Sequence, residues 1–140
     1  MNQRWTSLGA LAGALTVILG AFGAHALEGR LDAEQTGWWE TGVLYLAIHS
    51  LALVGYGSFR QVRPSNRPGL PGWGFVLGIL LFVGTLHAMA LGGPKWLGAI
   101  TPIGGTAWIV AWLAFAFQAP PPPAPSTAAS PAAGRGDVSN

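Results

Sequence analysis

Three histidines, His25, His49 and His87, are the residues of this 140-residue sequence best suited to proton or metal chemistry near neutral pH. His49 lies at the end of the stretch E-T-G-V-L-Y-L-A-I-H-S, Glu40 to Ser50. On a helix, Thr41, Tyr45 and His49 stand at i, i+4 and i+8 and share one face. The residues between them are mainly apolar, and no charge falls between Glu40 and Arg60. A polar stripe in such surroundings is expected to face protein or a cavity, because lipid offers it no partner.

Imidazole ligates both zinc and haem iron, so a redox or metal subunit using His25 and His49 is one chemistry to weigh. The spacing speaks against it. Counted along helices, His25 sits near one membrane surface, His87 roughly 7 Å below it and His49 about 12 Å below. Zinc requires ligand nitrogens about 2 Å from the metal. The sequence has no cysteine, no H-E-x-x-H and no carboxylate inside an apolar run to complete a shell. No metal and no cofactor are therefore expected. A neutral histidine bonding a facing helix is the plainer role. Ser7, Ser50 and Ser58 sit in no nucleophile elbow. Glu40 has no second carboxylate in register for acid–base work. At the start of a helix it would instead complement the dipole by about 0.3–1 kcal/mol. The chain is expected not to be an enzyme.

The elements that must position these groups are transmembrane helices. The chain is 51% hydrophobic and 9% charged, with a mean hydropathy of +0.43, against about 25% charged residues in a soluble domain. Four apolar runs stand out, at about 6–27, 41–59, 72–91 and 97–117. Each is long enough to cross a bilayer core of roughly 30 Å. The fold class predicted is an all-α membrane protein: a four-helix transmembrane bundle over residues 1–118. The tail at 119–140 opens with consecutive prolines and should be disordered. A cleaved signal peptide ending at Ala24-His25-Ala26 is the rival reading of the first run, which is longer than the usual apolar core of such peptides.

The segment 28–40 reads as a polar connection ending in a short interfacial helix or turn, with Trp38 and Trp39 in the headgroup belt. Gly9 and Gly13 in the first run, and Gly74 and Gly78 in the third, have the spacing that lets helices approach closely. In Thr101-Pro102-Ile103-Gly104-Gly105, Thr101 would cap a helix that starts at Pro102, leaving 96–100 irregular. Irregular backbone at membrane depth needs protein or a cavity over it. The sharp hypothesis is an outer-facing pocket built from His25, Tyr45, Thr101, Gly104 and Gly105, with Thr41 and His49 in the same polar cluster. The bland one is an interfacial turn whose glycines admit a neighbouring helix.

Arg4, Arg60, Arg63, Arg67 and Arg135 fall on one side of the four runs, Arg135 too far from the last to count for much, and Arg30 and Lys95 on the other. The positive-inside rule then puts both termini in the cytoplasm. The scattered basic residues form no cluster that would hold a nucleic-acid backbone.

The motifs G-A-F-G-A-H-A-L at 20–27, W-x-T-G-V-x-Y-x-x-x-H at 39–49 and L-G-A-I-T-P-I-G-G at 97–105 resemble the YgdD-like family of uncharacterised small inner-membrane proteins. The resemblance spans about residues 5–117. It implies four helices and a retained first span, in a bacterial inner membrane, and implies no activity. It marks His25, Thr41, Gly42, Tyr45, His49, Thr101, Pro102, Gly104 and Gly105 as family-like positions. An aromatic residue is expected where this chain has His87. Two functions follow as expectations: a non-enzymatic accessory protein that packs against itself or another membrane protein, or a small-ligand or proton-handling protein using the outer-half polar cluster.

Overall fold

The structure, a computed structural model, describes residues 3–63 and 69–118. Residues 1–2, 64–68 and 119–140, with the disordered tail expected at 119–140, lie outside the described residues. The rest is helical, with no strand among the described residues. Among the described residues, four helical segments are long and apolar enough to cross a membrane.

Helix α1, Gln3–His25, is apolar on every side, and only Trp5 and Gly9 on it are buried. Leu11, Val17 and Ile18 are each more than 60% exposed. In water such a surface would be costly; in a bilayer it faces acyl chains.

Helix α2, Ala33–Val62, begins well before the expected span. Asp32 caps it: its carboxylate accepts from the Gln35 N–H at 2.8 Å, and the Gln35 side chain accepts from the Asp32 N–H at 3.0 Å. The end of the 28–40 connection, read as a short interfacial helix or turn, is helical from Ala33 and continuous with the second span. The 30 residues of α2 make a rod about 45 Å long, longer than the hydrocarbon layer, so the capped end projects beyond it. The early start also moves Glu40 into the helix interior. The dipole role expected for Glu40 falls to Asp32 and Glu34 instead.

The third segment is α3, Leu70–Gly78, a π-helical turn at Ile79–Val83, and α4, Gly84–Ala90. Helical dihedrals continue through both junctions. The Gly84 N–H reaches back five residues to the Ile79 carbonyl. A Schellman motif ends α4: Gly93 N–H bonds the Ala88 carbonyl and Gly92 N–H the Met89 carbonyl, with Gly92 at φ 90°. A 3-10 turn at Lys95–Ala99 leads into α5, Thr101–Ala116.

Successive segments run antiparallel. Along α1 and α2, a Cβ on Gly9 would stand 2.7 Å from the Ser50 carbonyl, while Gly57 abuts Thr6 and Gly23 abuts Trp39. Along α3 and α5, a Cβ on Gly74 would stand 2.8 Å from the Ala111 Cβ, and one on Gly104 would stand 2.5 Å from the Phe82 nitrogen. Small residues let these backbones close up, as membrane helices require. The core between the pairs is formed by Trp5, Leu46, Leu53, Tyr56, Phe75 and Trp108. Trp39, expected at the headgroup belt, is buried against the neighbouring helices, 4% exposed. Its indole N–H donates to the Leu19 carbonyl at 3.1 Å, which ties α2 to α1.

Candidate functional site

His49 is 4% exposed near the middle of α2. Its Nδ1 lies 2.8 Å from the Tyr45 carbonyl, which can only accept, so Nδ1 carries the proton. Nε2 then holds a lone pair and accepts from the Trp112 indole N–H at 3.4 Å. The Trp108 indole lies flat on the imidazole, centroids 3.6 Å apart and planes within 4°. The same indole is parallel to the Tyr45 ring, 5.6 Å away. The arrangement follows from helix geometry. Tyr45 and His49 are one turn apart on α2, Trp108 and Trp112 one turn apart on α5, and the two pairs face each other.

Trp108 is fixed in turn by α3. Its Nε1–H donates to the Phe75 carbonyl at 3.2 Å. Gly78 leaves the room: a Cβ there would overlap the indole. The π-helical turn follows at once, where α5 presses Gly104 onto the Phe82 backbone. Single π-helical turns inside α-helices are rare and often lie at functional sites. Further along, the Thr85 hydroxyl donates to the Leu81 carbonyl at 2.6 Å. Its oxygen lies 2.8 Å from the Thr101 hydroxyl, which is the donor once the Thr85 hydrogen is engaged. Thr101 is therefore a cross-helix link in the first turn of α5. The N-cap position expected for it belongs to Ile100, which has no side chain able to cap.

Tyr45, His49, Pro102, Gly105, Trp108 and Trp112 line a groove of about 510 Å³ between α2 and α5. Of the polar cluster foreseen in the sequence, Tyr45, His49 and Gly105 meet in it. Gly104 lies behind it, against Phe82, and Thr101 is turned to Thr85. Thr41 is half-buried on α2 and does not line the groove. His25 is exposed at the end of α1 and does not line it either. His87 packs elsewhere: its ring lies 4.4 Å from that of Trp39, and a Cβ on Gly42 would stand 2.7 Å from its Nε2. The histidines thus occupy three separate places. No group of three or more metal-ligating side chains occurs among the described residues.

Of the glycines expected at helix contacts, Gly9, Gly42, Gly74 and Gly78 each sit where a Cβ would collide. At Gly13 a Cβ would meet only the Ser50 hydroxyl, at an ordinary 3.8 Å. Pro102 is exposed in the first turn of α5. Trp108 and Trp112, which hold His49, were missed in the sequence. Their signal was the period Thr101, Gly104/Gly105, Trp108, Trp112, which is one face of a helix.

A family model described as "Protein of unknown function (DUF423)" matches residues 19–105, from the second half of α1 to the first turns of α5. A UPF0382 membrane protein of Staphylococcus haemolyticus is 42% identical over 106 residues, 76% of this chain and 86% of the relative. One of Haemophilus influenzae is 35% identical over 117 residues, 84% of this chain and 94% of the relative. The UPF0382 inner membrane protein YgdD of Escherichia coli is 37% identical over 103 residues, 74% of this chain and 79% of the relative. No solved structure matches. With its four apolar helices and these similarities along most of its length, the chain belongs to the DUF423 family, the UPF0382 membrane proteins.

Proposed function

We propose that this protein is a non-enzymatic accessory subunit of the bacterial inner membrane, which docks through its α2–α5 face on another membrane protein or a second copy of itself. The observation that carries the reading is the state of the polar stripe. Both nitrogens of His49 are engaged inside the chain, and the Ser50 hydroxyl donates to the Ala47 carbonyl at 2.8 Å. The Trp112–His49 bond crosses from α5 to α2 and the other two close within α2, so these groups are engaged inside the chain rather than set along a path for a solute. The groove beside them is walled mostly by aromatic and aliphatic side chains, Ile48, Phe82, Trp108, Ile109 and Trp112 among them. Gly55 on the outer side of α2 has nothing within 4 Å of a Cβ. An exposed glycine inside a helix costs about 1 kcal/mol, and a close-packed partner helix would offset it.

Both termini face the cytoplasm in this proposal. Arg4, Arg60 and Arg63 stand at one end of the helices and Arg30 and Lys95 at the other. A photo-crosslinking residue in place of Ile109, on the groove wall, tests the docking in native membranes. Capture of a discrete protein species is expected, and capture of lipid alone contradicts the reading.

One observation favours a second reading, small-ligand or proton handling. Tyr45 is 38% exposed on the groove, and its hydroxyl makes no hydrogen bond among the described residues, so it could meet a membrane-soluble ligand. If Tyr45→Phe and His49→Ala leave both ligand binding and cellular phenotype unchanged, that reading falls.

A further inference from the structure

Glu40 is left without the dipole role its place in the sequence suggested. It lies six residues beyond Glu34, whose carboxylate pairs with Lys95 at the exposed end of the bundle. On α2 that is about 9 Å further toward the bilayer. Glu40 and Glu28 lie on the wall of a cavity of about 680 Å³ between the last turns of α1 and the first half of α2. That volume is in the range of small-molecule sites, roughly 300–1,000 Å³. Below the carboxylates the wall is apolar, formed by Gly20, Val43, Leu44 and Ala47. Neither carboxylate forms an ion pair among the described residues. This end of the bundle carries Glu28, Asp32, Glu34 and Glu40 against Arg30 and Lys95, and Lys95 is engaged by Glu34.

We propose that this cavity binds a phospholipid with a primary ammonium headgroup, the ammonium on Glu40 and Glu28 and one acyl chain along Gly20, Val43 and Ala47. A carboxylate beside apolar surface at headgroup depth calls for a cation that belongs to the membrane itself. A primary ammonium brings three N–H donors to two carboxylates, which a quaternary headgroup lacks. An anionic headgroup without an amine would be repelled by the excess of acids at this end. The apolar wall accounts for the rest of the molecule, since lipid chains lie beside it in any case. The site is on the opposite side of α2 from Phe75 and Trp108, and it stands whether or not the α2–α5 face docks a protein.

Native mass spectrometry of the full chain tests this, after exchange into mild detergent with equal amounts of phosphatidylethanolamine, phosphatidylcholine and phosphatidylglycerol of matched chains. Phosphatidylethanolamine is expected as the retained adduct. Glu40→Gln should lower that retention by about tenfold, the effect of one charge-assisted hydrogen bond. Glu40 is exposed and unbonded within the chain, so this variant keeps its fold. Gly20→Leu is the second arm: it fills the apolar wall, leaves both carboxylates and should also release the lipid. Equal retention of the three lipids overturns the proposal, as does full retention by both variants. Competition by free ethanolamine at the lipid's concentration would overturn the assignment to a membrane lipid.

Discussion

Replacing Gly78 by alanine should destabilise the bundle, although alanine is the better helix former. The new Cβ would overlap Nε1 and Cδ1 of Trp108 and stand 2.6 Å from its Cε2. The indole cannot yield freely. One side of it is stacked at 3.6 Å on His49, and its N–H is bonded to the Phe75 carbonyl at 3.2 Å. Overpacking a tight site costs about 1–3 kcal/mol. Loss of the indole hydrogen bond adds about 1 kcal/mol. The gain in helix propensity returns about 1 kcal/mol. The net expectation is a loss of about 1–3 kcal/mol. Gly13→Ala is the matched control. Its Cβ meets nothing nearer than the Ser50 hydroxyl at 3.8 Å, so it should be neutral or stabilising by up to about 1 kcal/mol. Unfolding in mixed micelles with rising dodecyl sulfate, followed by far-ultraviolet circular dichroism, reads both. Trp108→Phe in the Gly78→Ala background should recover part of the loss, because the smaller ring vacates the overlap. A Gly78→Ala variant as stable as the parent, or a Gly13→Ala variant equally destabilised, would refute the reasoning.

His49→Ala should cost about 2–4 kcal/mol in the same assay, through the empty stacking site against Trp108 and the unpaired Trp112 indole N–H. Asp32→Ala should cost about 0.5–2 kcal/mol and fray the capped start of α2, seen as faster amide exchange at Glu34, Gln35 and Thr36. Thr85→Val and Thr101→Val should show a coupling of about 1 kcal/mol in a double-mutant cycle, and zero coupling would mean that the two hydroxyls do not meet.

The sequence announced the four apolar helices because a membrane span needs a long run without charge, which is a one-dimensional property. It also announced the shared face of Tyr45 and His49, because helical period alone sets it. That the interfacial piece and the second span form one continuous helix was not legible. The capping box at Asp32 and Gln35 is in plain view, but the polarity of 33–40 marks the edge of the apolar run and does not say whether the helix continues across it. The π-helical turn at Ile79–Val83 has no signal in its own residues. It lies where Gly104 and Trp108 of α5 pack closely against the third segment. The site was legible in part. Tyr45, His49 and Gly105 share the groove, but His25 could be placed near them only by depth, and depth does not say which side of a helix faces which neighbour.

Native mass spectrometry of the protein released from its own membrane bears most directly on the accessory role. An assembly heavier than one chain of 14.5 kDa, whether a multiple of it or a complex with a second polypeptide, is the expected result. A bare single chain, unchanged after crosslinking from the α2–α5 face, would contradict it.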